Sequence, residues 1–240
     1  MKKTSLITAV CLAATVSQAQ LIDDFSGDLS AYTATRILNN ANHNPVNTYT
    51  WEINGGGALQ INTSAYVGIE QFALTRTDYP LAVGYELIAD YSYGNLNSQD
   101  IGLYVGAGHP TVDVRADYVN VYVRNNGELY SRGFNGLTEF GLSALNGVNT
   151  PVNIDTLFIA RTAVDTYDLG YYNGATRTVM VTRTVANTAI GNAIGFYADV
   201  RGAGIRGDMD NLAIQAIPEP AAAALAGLGL LVLGRLRRRG

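Results

Sequence analysis

Between Asp117 and Arg124 the chain alternates: Val119, Val121 and Val123 fall on one side, and Tyr118, Asn120, Tyr122 and Arg124 on the other. A period of two marks a half-buried strand, because successive side chains point to opposite faces of a sheet. Asn125-Asn126-Gly127 then supplies a turn, and residues 128–134 can run back as the partner strand. Similar stretches predict strands over residues 21–25, 47–53, 58–62, 67–75, 85–93, 100–105, 155–163, 167–172, 177–185, 195–200 and 209–215. No long run of helical apolar periodicity competes with them. About a dozen strands parted by Gly, Asn, Asp and Pro predict an all-β fold, a two-sheet antiparallel β-sandwich of the jelly-roll kind. No Pro- or Ser-rich linker divides residues 20–217, so they are read as one domain, with residues 136–153 and 187–193 as surface loops.

Two segments break the period. At the start, Lys2 and Lys3 precede an apolar run over residues 6–16 and the small-residue site Ser17-Gln18-Ala19. That order reads as a secretory signal peptide removed after Ala19 by signal peptidase, rather than a buried helix. Cys11, the sole cysteine, lies inside this run, so the mature chain is expected to carry no thiol and no disulfide. At the other end Pro218-Glu219-Pro220 leads into small and apolar residues to Leu233, then Arg235, Arg237, Arg238 and Arg239. A helix over residues 221–234 would be roughly 21 Å long at 1.5 Å per residue, short of a hydrocarbon core of roughly 30 Å. It suits a temporary inner-membrane anchor, with the arginines holding the tail cytoplasmic.

The tail over residues 218–239 resembles the PEP-CTERM sorting signal of Gram-negative bacteria: a Pro-Glu-Pro box, a membrane helix and a basic cluster. The resemblance implies processing near Pro218, Glu219 and Pro220 by an exosortase and transfer of the body to the cell surface or the extracellular matrix. An ordinary single-pass anchor is the alternative, since basic clusters follow any such helix.

Charge changes once these ends are set aside. They hold six of the 16 basic residues and one of the 20 acidic ones, so residues 20–217 keep 10 basic and 19 acidic groups. An acidic body opposes nucleic-acid binding, which needs a basic footprint.

The body resembles the concanavalin A-like lectin and glucanase jelly rolls through four features: the opening Ile22-Asp23-Asp24-Phe25-Ser26-Gly27-Asp28, the strand Trp51-Glu52-Ile53 leading into Gly55-Gly56-Gly57, the hairpin from Arg161 to Gly174, and the closing Met209-Asp210-Asn211-Leu212. That resemblance implies that the first and last strands share a sheet. Its members include sugar binders, glucanases and structural modules.

No catalytic constellation stands out. The paired-carboxylate strand of glucanases on this fold is missing, although Glu86 and Asp90 share a face and Asp165 and Asp168 flank a turn. His43 and His109 are too isolated for a triad or a metal centre. Residues 202–207 satisfy Gly-x-Gly-x-x-Gly, but an acidic stretch and a strand follow where a phosphate loop needs a helix. Structural calcium is a candidate cofactor, with Asp24 and Asp210 as first-choice ligands if the terminal strands pair; solvated acids in Asx turns are the alternative. Tyr118, Asn120, Tyr122 and Arg124 form a candidate sugar platform, because pyranose C–H faces stack on rings while hydroxyls need polar partners; sheet-covering tyrosines are the alternative. The expectation is a non-enzymatic exported protein that binds extracellular polysaccharide, with a glycoside hydrolase or lyase on the same fold as the alternative.

Overall fold

A computed structural model describes residues 19–38, 49–63, 70–92, 101–124, 127–140, 143–144, 153–200 and 204–218. The signal-peptide reading and the tail residues Glu219, Pro220, Arg235, Arg237, Arg238 and Arg239 lie outside the described residues. Among the described residues there is no helix, and the strands are β1 (Gln20–Asp23), β2 (Thr33–Leu38), β3 (Tyr49–Ile53), β4 (Leu59–Thr63), β5 (Glu70–Arg76), β6 (Tyr85–Tyr91), β7 (Ile101–Gly106), β8 (Tyr118–Val123), β9 (Leu129–Ser131), β10 (Gly133–Asn135), β11 (Thr138–Glu139), β12 (Ser143–Ala144), β13 (Thr156–Ala163), β14 (Thr166–Asn173), β15 (Thr176–Thr184), β16 (Ala193–Val200) and β17 (Gly204–Ala216).

They form two antiparallel sheets stacked as a sandwich, the expected architecture. The first runs β15-β14-β13-β6-β17-β4-β3, with β1 added to β17; the second runs β11-β10-β8-β7-β16-β5-β2, with β9 on β8 and β12 on β9. The expected hairpin is present, with Tyr122 opposite Tyr130 across β8 and β9. The first and last strands also pair, Gln20 lying opposite Ile214. Residues 204–207 of the glycine-rich stretch belong to β17 and pair with β4.

Between the sheets the alternation is satisfied as the pattern requires. Leu103, Val121 and Phe196 of the second sheet meet Leu87, Leu157 and Leu169 of the first in one buried core. Each such side chain contributes about 1.5–3 kcal/mol on burial, which is offset in large part by conformational entropy.

Strand β17 carries two irregularities, between Gly207 and Met209 against β4 and between Asp210 and Ala213 against β6. Asp208 (φ 127°) and Asn211 (φ 49°) take left-handed backbone there. Bulges bend a strand and raise its twist, and here β17 exchanges β4 for β1 as its neighbour on one side.

Candidate functional site

The far face of the second sheet, turned away from the core, differs from what β8 alone predicts. Tyr118, Asn120 and Tyr122 do share one face, but all three are fully buried, so β8 is covered on both sides rather than half-buried. Tyr118 and Tyr122 belong to a second cluster with Ile37, Ala73, Tyr104, Phe134 and Tyr197, separate from the core between the sheets. The register builds it: Tyr104 faces Asn120, Gly106 faces Tyr118, and Gly102 faces Tyr122. On the flanks, Phe134 lies opposite Tyr118 and Tyr197 opposite Ala73.

The rings touch in series. Tyr104 and Tyr118 stack with centroids 5.2 Å apart, Tyr118 meets Phe134 at 5.4 Å, and Tyr122 meets Tyr197 at 5.2 Å. Separations of this order are those of favourable offset and tilted aromatic pairs. Glycine makes the space, for a Cβ on Gly102 would lie 2.7 Å from Tyr122 Cβ, and one on Gly106 would lie 2.6 Å from the Tyr104 ring. Burial drives the hydroxyls of Tyr118, Tyr104 and Tyr197 far above the usual phenol range, so all three remain protonated donors.

A polar knot closes one end of this layer. Asp199 accepts hydrogen bonds from Gln71 Nε2 at 3.3 Å and the Tyr122 hydroxyl at 3.4 Å, with Arg132 Nη1 3.9 Å away. Arg132 also pairs with Glu139 at 3.0 Å, and its backbone N–H donates to Asn120 Oδ1 at 2.7 Å. Asp199 thus has a cation and two donors around it, the partners that a buried carboxylate needs. The hydroxyls of Tyr118 and Tyr197 and Asn120 Nδ2 are buried without a hydrogen-bond partner among the described residues. Each such group costs about 1–3 kcal/mol.

Arg124 stands just beyond β8, at the rim, its guanidinium 4.7 Å over the Tyr130 ring, and Tyr130 donates to Glu128 at 2.7 Å. The proposed quartet is thus divided: three members lie inside the buried layer and only Arg124 reaches its edge. Tyrosine suits either placement, so the alternation of β8 could not tell them apart.

At the opposite rim, residues 107–117 join β7 to β8 and are fastened to three neighbouring strands. Asp113 holds Arg36 of β2 through two contacts of 3.1 Å, and its N–H donates to the Arg36 carbonyl. His109 Nδ1 lies 2.8 Å from the Thr75 hydroxyl of β5. Asp117 accepts the Gly136 N–H at 2.7 Å, and Arg115 lies 4.9 Å over Phe134 of β10. The loop borders a half-open cavity of about 170 Å³ against Tyr104. Sequence reasoning set His109 aside as an isolated loop histidine and passed over Asp117; the turn chemistry of the aspartates was the available signal, Asp113 and Asp117 both having left-handed backbone.

The remaining candidates are committed elsewhere. Glu86 is fully buried on the outer face of the first sheet, where Tyr172 and Gln215 donate to Oε1 and Arg177 Nε donates to Oε2 at 2.9 Å. Asp90 accepts from Thr156 at 3.0 Å and from Asn211 at 2.9 Å, so the two carboxylates do not form a free pair. Asp165 accepts from Thr166 and Asp168 from Thr182.

For calcium, β1 and β17 do bring Asp24 and Asp210 to one end of the first sheet. Asp24 nonetheless accepts both the N–H and the hydroxyl of Ser26, bonds that hold its carboxyl below the usual range, and Asp210 accepts the Asn211 N–H at 2.7 Å. Both make local turns, and among the described residues no group of three or more His, Cys, Asp or Glu is disposed to hold a metal ion. Asp24 and Asp210, each engaged in its own turn, do not by themselves make a six- to eight-coordinate set among the described residues.

No family model and no curated protein matches the chain. Among solved structures it is similar to the exoplasmic/lumenal domain of VIP36 in its Ca2+/Man3GlcNAc-bound form, at 9% identity and TM-score 0.46, over 77% of this chain and 89% of that one. It is also similar to the carbohydrate-binding module CBM66 from Bacillus subtilis, at 12% identity and TM-score 0.42, over 78% and 96%. A third is the carbohydrate esterase vb_24B_21 from the Shiga toxin-encoding bacteriophage phi24B, at 13% identity and TM-score 0.41, over 83% and 97%. Likeness at this level transfers no residue role to this chain.

Proposed function

We propose that this protein is an exported, non-catalytic β-sandwich of the cell surface or extracellular matrix that retains extracellular polysaccharide. In this reading signal peptidase removes residues 1–19, the apolar tail engages the inner membrane transiently, and an exosortase acts at the Pro218-Glu219-Pro220 box. Pro218 lies two residues beyond the end of β17 and is exposed.

The observation that carries the reading is the filled far face of the second sheet. An open sheet face would offer a cleft for two carboxylates and a water, whereas here five aromatic rings occupy it. Such a layer stiffens the sheet and moves recognition outward to the rims, where Arg124, Tyr130, His109 and Asp117 stand. Rims of this kind, with an aromatic face beside planar polar groups, offer the two contacts that a sugar needs.

The test combines retention and mass. Full-length protein passed over immobilised extracellular polysaccharide should be held without releasing new sugar ends, and the native extracellular form should lack both termini by intact mass. Recovery inside the cell with both ends attached, or steady release of sugar ends, would overturn the reading.

A further inference from the structure

The cavity under residues 107–117 has the chemistry of a site in its own right. At about 170 Å³ it is roughly half the smallest volume usual for drug-sized ligands, about 300 Å³, yet it is several times the roughly 30 Å³ share of one water. It therefore holds about one ring, and its open side faces solvent.

Its walls divide by character. Ala107, Pro110 and Val114 are apolar, while Tyr104, His109 and Asp117 bring polar groups. Asp117 spends Oδ1 on the Gly136 N–H, which leaves Oδ2 with no donor among the described residues. His109 likewise spends Nδ1 on Thr75, leaving Nε2. The Tyr104 hydroxyl stays a donor, since burial and then the Asp117 charge hold its proton in place. A carboxylate oxygen can accept two hydroxyls, an imidazole nitrogen one more, and a phenol can donate to a ring oxygen.

Charge narrows the class. Among the residues lining the cavity Asp117 is the one carboxylate and no arginine or lysine is present; Arg36, paired with Asp113, and Arg115, over Phe134, lie outside the lining. Desolvating an anionic sugar beside Asp117 is unfavourable. We infer that this cavity receives a single neutral pyranose residue at the end of a polysaccharide chain, its hydroxyls on Asp117 and His109 and its C–H face on the apolar wall. The inference rests on the polysaccharide reading above and names the residue of the ligand that is gripped.

Two sets of probes separate the two claims. Full-length protein in a zwitterionic detergent is titrated by ligand-observed NMR with the methyl glycosides of glucose, galactose, mannose and glucuronic acid, and assayed in parallel for retention on polysaccharide. Asp117→Asn is the main variant, because Asn tolerates left-handed backbone and keeps an acceptor for Gly136. His109→Gln is the second. At least one neutral glycoside should bind with millimolar affinity, at least tenfold more weakly to Asp117→Asn, with unchanged near-ultraviolet circular dichroism. Retention on polysaccharide without binding of any neutral glycoside would overturn this inference and leave the broader reading standing, and so would unchanged affinity in both variants. Tighter binding of the glucuronide would overturn the neutral class. Loss of both binding and retention in the wild type would overturn both claims.

Discussion

At the scale of single residues, Tyr118 separates two roles that one side chain can play. Its ring packs against Tyr104 and Phe134, while its hydroxyl is buried without a partner among the described residues. Removing the ring should therefore cost stability and removing the oxygen should add to it. In urea unfolding we expect Tyr118→Ala to lose about 3–5 kcal/mol, the range for large aromatic truncations in a core, and Tyr118→Phe to be more stable by about 1–3 kcal/mol.

The titratable groups set two limits. The Arg76 guanidinium beside Asp78, and the Ser26 and Ser30 donors beside Asp24 and Asp28, hold these carboxyls below their usual values. A depressed folded-state pKa gives stability that is present above the unfolded value of about 4 and lost as pH falls through the folded value. Asp78→Asn should accordingly flatten the acid side of the melting midpoint against pH. Tyrosine gives the opposite sign. Burial raises Tyr104, Tyr118 and Tyr197, so their contribution is complete below the unfolded value of about 10 and declines as pH rises toward the folded values. Phenolate absorbance from these rings should appear together with loss of the β circular dichroism signal, and phenolate formation in a still-folded chain would refute their burial.

Among elements, β8 shows how far periodicity reaches. Its alternation assigned the inward valines and the hairpin with β9, because both follow from a period of two. It could not reveal that the other face is covered, since that depends on Tyr197 of β16 and Tyr104 of β7, far away in the chain. Strand β2 escaped notice because Thr33, Thr35 and Arg36 blur the contrast between its faces; only Ile37 is a large residue driven fully inside. The loop cavity was hidden for a further reason: its walls come from ordinary loop residues whose pairing with β2 and β5 is purely tertiary. Glycine in β7 supplies the test at this scale. Gly102→Ala adds a methyl group 2.0 Å from the Val121 carbonyl oxygen and 2.7 Å from Tyr122 Cβ, so the backbone itself must shift and the loss in chemical denaturation should reach or exceed the about 1–3 kcal/mol of side-chain overpacking.

For the whole molecule, the turn-bound aspartates at the β1–β17 junction carry an expectation about ions. A chelator should leave the melting midpoint of the protein unchanged, and a fall of several degrees, reversed by calcium, would show a ligand set that Asp24 and Asp210 do not make in this arrangement. The same junction has a mechanical side. Strand β17 runs through the interior of its sheet, paired with β6 on one side and with β4 and then β1 on the other, and the tail leaves from its end. Traction on that tail is taken up in shear by the ladders on both sides of the strand, instead of peeling an outermost strand away rung by rung. In the proposed reading, a body held at this point during export, before the tail is removed, is a coupler that yields late.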